Sequence, residues 1–345
     1  MNKAEKIAQF DANGPGQKES NLFGLPFDAE ESDIVILPVP WEVTVSYKRG
    51  TALGPEAIHA ASLQVDLYDS DSPDCWKKGI HMLPLNEELQ GINSELRDRA
   101  ERHIRSLGEG TDEDPEILET INSACEQMVE WVEEQTTILL TQGKLVGLLG
   151  GDHSTPLGFL KALSKRYPRF GILQLDAHMD LRNAYEGFTY SHASIMHNAL
   201  KLPQVSKLVQ VGIRDYCEEE LAFVKNSTNR VVTFFDEDLK TERYEGTTWK
   251  SQVQRIVSEL PELVYVSFDI DGLDPKLCPN TGTPVAGGME YHEAVYLLRE
   301  LARSGKKIIG FDLNEVAPGS DEWDANVGAR LLFKLCTFFS LAGNN

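Results

Sequence analysis

Three short stretches of this 345-residue chain concentrate side chains that bind metal ions. In LDAHMDLR, Asp176, His178 and Asp180 stand at every second position. In SFDIDGLDP, Asp269 and Asp271 do the same, and GGDHS supplies His153. Side chains of a strand alternate between its faces, so Asp176, His178 and Asp180 begin on one face, as do Asp269 and Asp271. Packing the four carboxylates together without cations would be costly or would force protonation. Two divalent ions balance four negative charges, and the neutral imidazoles of His153 and His178 complete the set. Carboxylate and imidazole without thiolate favour manganese-like or nickel-like ions over a structural zinc cluster. A bridging carboxylate suits two ions about 3.5–4 Å apart, and such a pair supplies hydroxide near neutral pH by lowering the pKa of bound water.

Each stretch alone has an ordinary explanation. GGDHS reads as a helix-capping turn, DAHMD as a solvated strand end, and DIDGLDP as a calcium-like loop or a turn. Their joint occurrence after three buried-strand patterns is what points to one metal site. Asp152 and Asp274 fit supporting or turn roles. His59, His81, His103, His197 and His292 lack such surroundings and read as structural or exposed.

These residues meet only if the fold brings their strands together. Short apolar runs occupy 33–39, 144–149, 170–175, 207–213, 263–268 and 307–313. Continuous runs of this kind suit strands buried on both faces. Between them, Leu89, Ile92, Leu96, Ala100 and Leu107 share one helical face, and Ile117, Ile121, Cys125, Met128 and Val132 share another. The loop at 108–115 separates those two helices. Ser154 is the expected cap of a further helix, and 291–303 is amphipathic. Alternating strands and helices predict an α/β fold with a mainly parallel sheet. In such a sheet the polar strand ends share one edge, where ligand sites collect. The expected organisation is an extended arm over residues 1–30, packing against another subunit, and a single domain over 31–345.

Composition narrows the function classes. A formal charge of −21 repels nucleic acid and anionic membranes and is compatible with a cationic substrate. No apolar run reaches a membrane span and the N-terminus lacks a secretory core, so cytoplasmic residence is the expectation. Five scattered cysteines with no CxxC pair read as reduced thiols.

GGDHS, DAHMD and SFDIDGLDP resemble the three signatures of the ureohydrolase family, which includes arginase, agmatinase, guanidinobutyrase, formiminoglutamase and guanidine hydrolase. Three more segments share the likeness: GT at 50–51 followed by GPEAI at 54–58, TGTPVAGG at 281–288, and EVAP at 315–318. The likeness spans roughly residues 33–340. It implies an arginase-like three-layer α/β/α sandwich, a homo-oligomer (trimer or hexamer), and two divalent ions per chain, nickel or manganese. The implied ligands are His153, Asp176, His178, Asp180, Asp269 and Asp271, with Asp176 and Asp269 bridging. Asp180 would also orient the attacking hydroxide, and Glu315 would hold a guanidinium by a paired contact. His192, in SHAS, stands where the family has its proton-shuttling histidine. Thr283 would touch the substrate or support the metal site. Whether a chaperone loads the ions is left open.

The reaction implied is hydrolysis of a guanidino C–N bond with release of urea. The loop after DAHMD lacks the pattern with which arginases receive an α-amino acid. Trp41 in PWEVTVSY and Trp323 beside Asp324, where relatives often carry threonine, resemble the guanidine hydrolase branch. If their indoles close the pocket, only a small cation fits, and aromatic faces suit a guanidinium. Free guanidine is thus the favoured substrate, with agmatine or a guanidino acid such as guanidinobutyrate as the alternative. A deacetylase-like amidohydrolase or a non-catalytic scaffold is disfavoured because all six ligands and Glu315 are present.

Overall fold

The computed structural model describes residues 1–17, 20–110 and 115–342. Eight strands form one sheet: β1 (Ile34–Val39), β2 (Ile80–Met82), β3 (Leu145–Gly150), β4 (Phe170–Leu175), β5 (Val205–Ile213), β6 (Val231–Phe235), β7 (Leu263–Asp269) and β8 (Lys307–Asn314). Their order is β2-β1-β3-β8-β7-β4-β5-β6, and every pairing is parallel. The connection from β3 to β4 therefore leaves room for two strands, and β8 and β7 fill it. The four strands that end in polar residues become immediate neighbours, with all their carboxyl ends on one edge.

Each face of the sheet carries an apolar layer. Leu173 and Leu175 of β4 join the layer covered by helices Gly54–Ser62, Trp249–Glu259, Tyr291–Arg303 and Trp323–Ala342. Phe170 and Ile172 of the same strand join the opposite layer, under Glu87–Glu109, Pro115–Thr141 and Leu157–Arg166. Two-sided burial explains why the strands read as continuous apolar runs. The result is the expected three-layer sandwich of helices, parallel sheet and helices.

Several local expectations need correction. Residues 3–9 are helical, and Leu22, Phe23, Leu25 and Phe27 enter the chain's own core, with Phe23 edge-on to Phe333 at 5.1 Å. The described part of the first 30 residues is thus not an extended arm. Ser154 does not cap the next helix: its hydroxyl donates to Asp152 and the helix begins at Leu157. Strands β2 and β6 escape a search for long apolar runs because they are short edge strands. The helix Trp323–Ala342 is long and apolar enough by composition to cross a membrane, yet it is largely buried within the molecule. Residues 111–114 of the loop expected between the two long helices lie outside the described residues.

Candidate metal centre

The sheet edge delivers the ligands from four elements. His153 follows β3, Asp176 and His178 follow β4, Asp269 ends β7, and Asp271 sits in the tight turn after it. Gly151 permits the first approach: a Cβ there would lie 1.9 Å from the carbonyl oxygen of Trp41. The amide of His178 donates to Asp176 Oδ1 at 2.6 Å, and the amide of Asp271 donates to Asp269 Oδ1 at 2.9 Å. These short local bonds turn each carboxylate back over its own strand end. Asp180 holds a left-handed backbone (φ 55°), which re-aims its side chain toward His153.

Two triads result. Ligating atoms of His153, Asp176 and Asp269 lie within 4.8 Å of one another, as do those of Asp176, His178 and Asp271. Asp176 belongs to both, which is the place of a bridging carboxylate. Asp269, expected to bridge as well, belongs only to the first triad, with His153 and Asp176, its Oδ1 accepting the Asp271 amide. His153 Nδ1 faces Asp176 and Asp180 at 3.0 Å and Asp269 at 3.2 Å. That nitrogen and Asp271 Oδ2 are buried, yet neither has a hydrogen-bond partner among the described residues. Buried polar atoms are rarely left so. Orphaned ligating atoms, one from each triad, are what two cations would satisfy, so the residues fit a metal pair.

Protonation follows the same logic. Burial alone would push the two imidazoles down. The carboxylates of Asp176, Asp180 and Asp269 outweigh it at His153, and those of Asp271 and Asp176 do so at His178, holding both well above the usual range. Burial, with Asp176 alongside, pushes Asp180 up to about 7. Burial and then Asp271 and Asp176 push Asp269 well above the carboxylate range. Without cations, the cluster keeps protons in their place.

A buried polar chain fixes the ligands from behind. His153 Nε2 lies 2.9 Å from Ser267 Oγ, which donates to Asp312 Oδ1 at 3.1 Å. With Nε2 protonated, Nδ1 is left free as a ligand. Gln174 Nε2 donates to Asp176 Oδ2 at 2.8 Å, and Gln210 Nε2 holds Gln174 Oε1 at 2.8 Å. These supports were missed in sequence, although polar residues inside FGILQL, LVYVSF and KIIGFDL were the visible signal. Asp152 and Asp274 accept local amides, from Ser154 and Lys276, as turn residues do.

Beside His178 and Asp180 lies a cavity of about 270 Å³, lined also by His192, Thr283, Arg182 and Tyr185 and by the exposed Tyr47, Asp215 and Tyr216. Burial, followed by the charges of His178 and His153, pushes His192 down to about 3. Glu315 is buried, also with a left-handed backbone (φ 63°). Its Oε1 accepts the His153 amide at 2.9 Å. Burial, with Asp152 next, holds its carboxyl well above the usual range, as expected of a carboxylate awaiting a cation.

The two indoles stand elsewhere. Trp41 is fully buried in the apolar layer that also holds Cys125. Trp323 is 46% exposed and donates Nε1–H to the carbonyl of Lys276. Neither is among the residues lining the cavity, so the geometry gives no support to a pocket closed by them.

Comparison with known proteins agrees with this geometry. The Arginase family profile matches residues 32–337. The chain is 32% identical over 329 residues to an agmatinase of Neisseria meningitidis serogroup B, covering 92% of each protein. It is 28% identical over 292 residues to the N(1)-aminopropylagmatine ureohydrolase of a Synechocystis strain, covering 84% of this chain and 82% of the relative. The agmatine ureohydrolase of Thermoplasma volcanium has the same fold, with a TM-score of 0.73 at 23% identity over 99% of both chains.

Proposed function

Because this chain belongs to the arginase family, as a metal-dependent hydrolase of linear amidines, we propose that its substrate is a short guanidinoalkyl amine of the agmatine class. One observation carries the reading. The cavity that touches His178 and Asp180 is also lined by the exposed Tyr47 and Tyr216 and by the carboxylate of Asp215. Free guanidine, one carbon and three nitrogens, needs none of these three. An alkyl chain can lie against the tyrosines, and Asp215 can face a distal ammonium. The names of the aligned relatives point the same way.

A divalent metal pair held by His153, Asp176, His178, Asp269 and Asp271 would supply a water of lowered pKa as the nucleophile. Carboxylate and imidazole donors suit manganese or nickel. The chain's own groups do the rest. Glu315 offers a carboxylate to the guanidinium, a charge-assisted contact that fixes the electrophilic carbon. Asp180 accepts a hydrogen bond from the attacking water and orients it. Oxygen bonds to carbon as the bond to the alkyl-bearing nitrogen breaks. A proton must reach that nitrogen, and His192 lines the cavity at a position to pass it. The products are urea and a diamine.

Arg182 favours a second reading. Its guanidinium lines the same cavity, stacked on Tyr185 at 4.7 Å, and would suit a substrate carboxylate. A guanidino acid would use it. Turnover of agmatine, guanidinobutyrate, arginine and free guanidine by manganese- and nickel-loaded protein decides. Agmatine should give the highest kcat/KM. Exclusive guanidine turnover would overturn the reading, and a preference for guanidinobutyrate would select the second. Cytoplasmic residence and assembly as a trimer or hexamer belong to the same proposal, and light scattering checks the assembly.

A further inference from the structure

Asp324 is a second kind of buried carboxylate, outside the metal cluster. It lies fully buried in the first turn of the helix Trp323–Ala342, where the helix dipole favours a negative charge. Its Oδ1 accepts the Cys278 thiol at 3.1 Å and the Asn280 amide at 2.9 Å. Its Oδ2 accepts Asn280 Nδ2 at 2.9 Å. Burial beside Asp324 pushes the Cys278 thiol well up, so it stays protonated and donates. All three donors belong to the loop that follows β7. None comes from Asp324's own helix.

The same loop forms a wall of the guanidinium seat within three residues of the tether. Thr281 Oγ1 donates to the carbonyl of Glu315 at 2.8 Å. A Cβ at Gly282 would come within 2.9 Å of Glu315 Oε2, so the backbone itself lies against that carboxylate. Thr283 lines the cavity beside Asp180. Asn280 has little freedom of its own, since a Cβ at Gly319 would lie 2.2 Å from its Nδ2. A rigid core helix thus connects, through one carboxylate and one asparagine, to the backbone that flanks Glu315.

We propose that Asp324 is a positioning residue for the substrate: through Asn280 it sets Gly282 and Thr283 against Glu315. The proposal rests on the reading that Glu315 seats the guanidinium. Sites of this kind tolerate little displacement, and a misplacement of about 1 Å can cost about 100-fold in rate.

The test uses the full-length, metal-loaded protein with Asp324→Ala, Asp324→Asn, Asn280→Ala and the Asp324→Ala/Asn280→Ala double variant. Asp324→Ala should lower kcat/KM about 10- to 100-fold, chiefly through KM, with wild-type ion content. Asp324→Asn keeps an acceptor for the Asn280 amide and should restore most of the loss. The double variant should lose no more than the worse single one, because both changes cut one connection. Hydrogen exchange at 280–283 should accelerate in Asp324→Ala. Additive losses, or unchanged KM and exchange, would overturn the proposal. If Asp324→Ala fails to fold, Asn280→Ala and Asp324→Asn carry the same comparison. If the wild type turns over no guanidino compound, the functional reading fails, and the exchange measurement still decides the tether.

Discussion

The backbone amide of His153 donates to Glu315 Oε1 at 2.9 Å while its imidazole faces three metal-binding carboxylates. One residue therefore sets the spacing between the metal centre and the proposed guanidinium seat. Its amide bond to Glu315 survives any change of side chain, whereas the charge of Glu315 does not survive amidation. Glu315→Gln should cost about 1.5–3 kcal/mol of transition-state binding, the worth of a charged hydrogen bond. That corresponds to roughly 10- to 150-fold in kcat/KM. Steady-state kinetics with elemental analysis checks it: ion content stays at the wild-type value while kcat/KM falls. Wild-type kinetics in this variant would remove Glu315 from the substrate.

The two ligand triads share Asp176, so losing it should differ from losing an end ligand. Asp176→Ala is expected to release both ions, and His178→Ala only one. Removing the ions from the wild type should lower its melting temperature, because binding at about 100 times Kd stabilises a fold by about 2.7 kcal/mol. Elemental analysis and calorimetry read both effects. Two ions retained in Asp176→Ala would contradict a shared ligand.

His192 makes a pH prediction. Its folded value of about 3, set by burial and then by the charges of His178 and His153, lies below the ordinary imidazole value. Its contribution to stability is therefore full above pH ~6.5 and is lost as pH falls toward 3, because the unfolded chain takes up a proton that the folded chain does not. By pH 5 the loss amounts to ~2 kcal/mol. His192→Asn should flatten the stability curve of the ion-free protein over that window, as read from urea midpoints at pH 7 and pH 5. Parallel curves would show that His192 protonates freely. For catalysis, a neutral His192 must accept a proton before it can deliver one.

The two tryptophans should separate cleanly. Trp41→Ala removes a fully buried side chain and should cost about 3–5 kcal/mol. Trp323→Ala should leave KM unchanged and stability within about 0.5 kcal/mol. A raised KM in Trp323→Ala would return that indole to the substrate.

DAHMD exposed one wall of the metal site in sequence through its residue types, although β4 ends at Leu175 and the three side chains stand in the irregular segment beyond it rather than on one strand face. The sandwich was also legible, since strands covered on both faces must be continuously apolar. Trp41 and Trp323 were misplaced because chain proximity to a motif says nothing about side-chain direction. Trp41 precedes the site segment yet turns into the apolar layer beside Cys125. The Asp324 tether was equally hidden, since it depends on a contact 44 residues distant in sequence. Edge strand β2 was too short to show a period at all.

Asp180 and Glu315 both keep a left-handed backbone without being glycine. Each costs about 1–2 kcal/mol relative to a relaxed conformation. Glycine would relieve that cost but would also delete the carboxylate. The site therefore carries a local backbone cost that the surrounding sheet must offset. On heating, these two residues are positioned to relax before the strands separate, and activity should disappear several degrees below the melting transition. Coincident loss of activity and structure in one thermal ramp would show that this backbone cost does not loosen the site first.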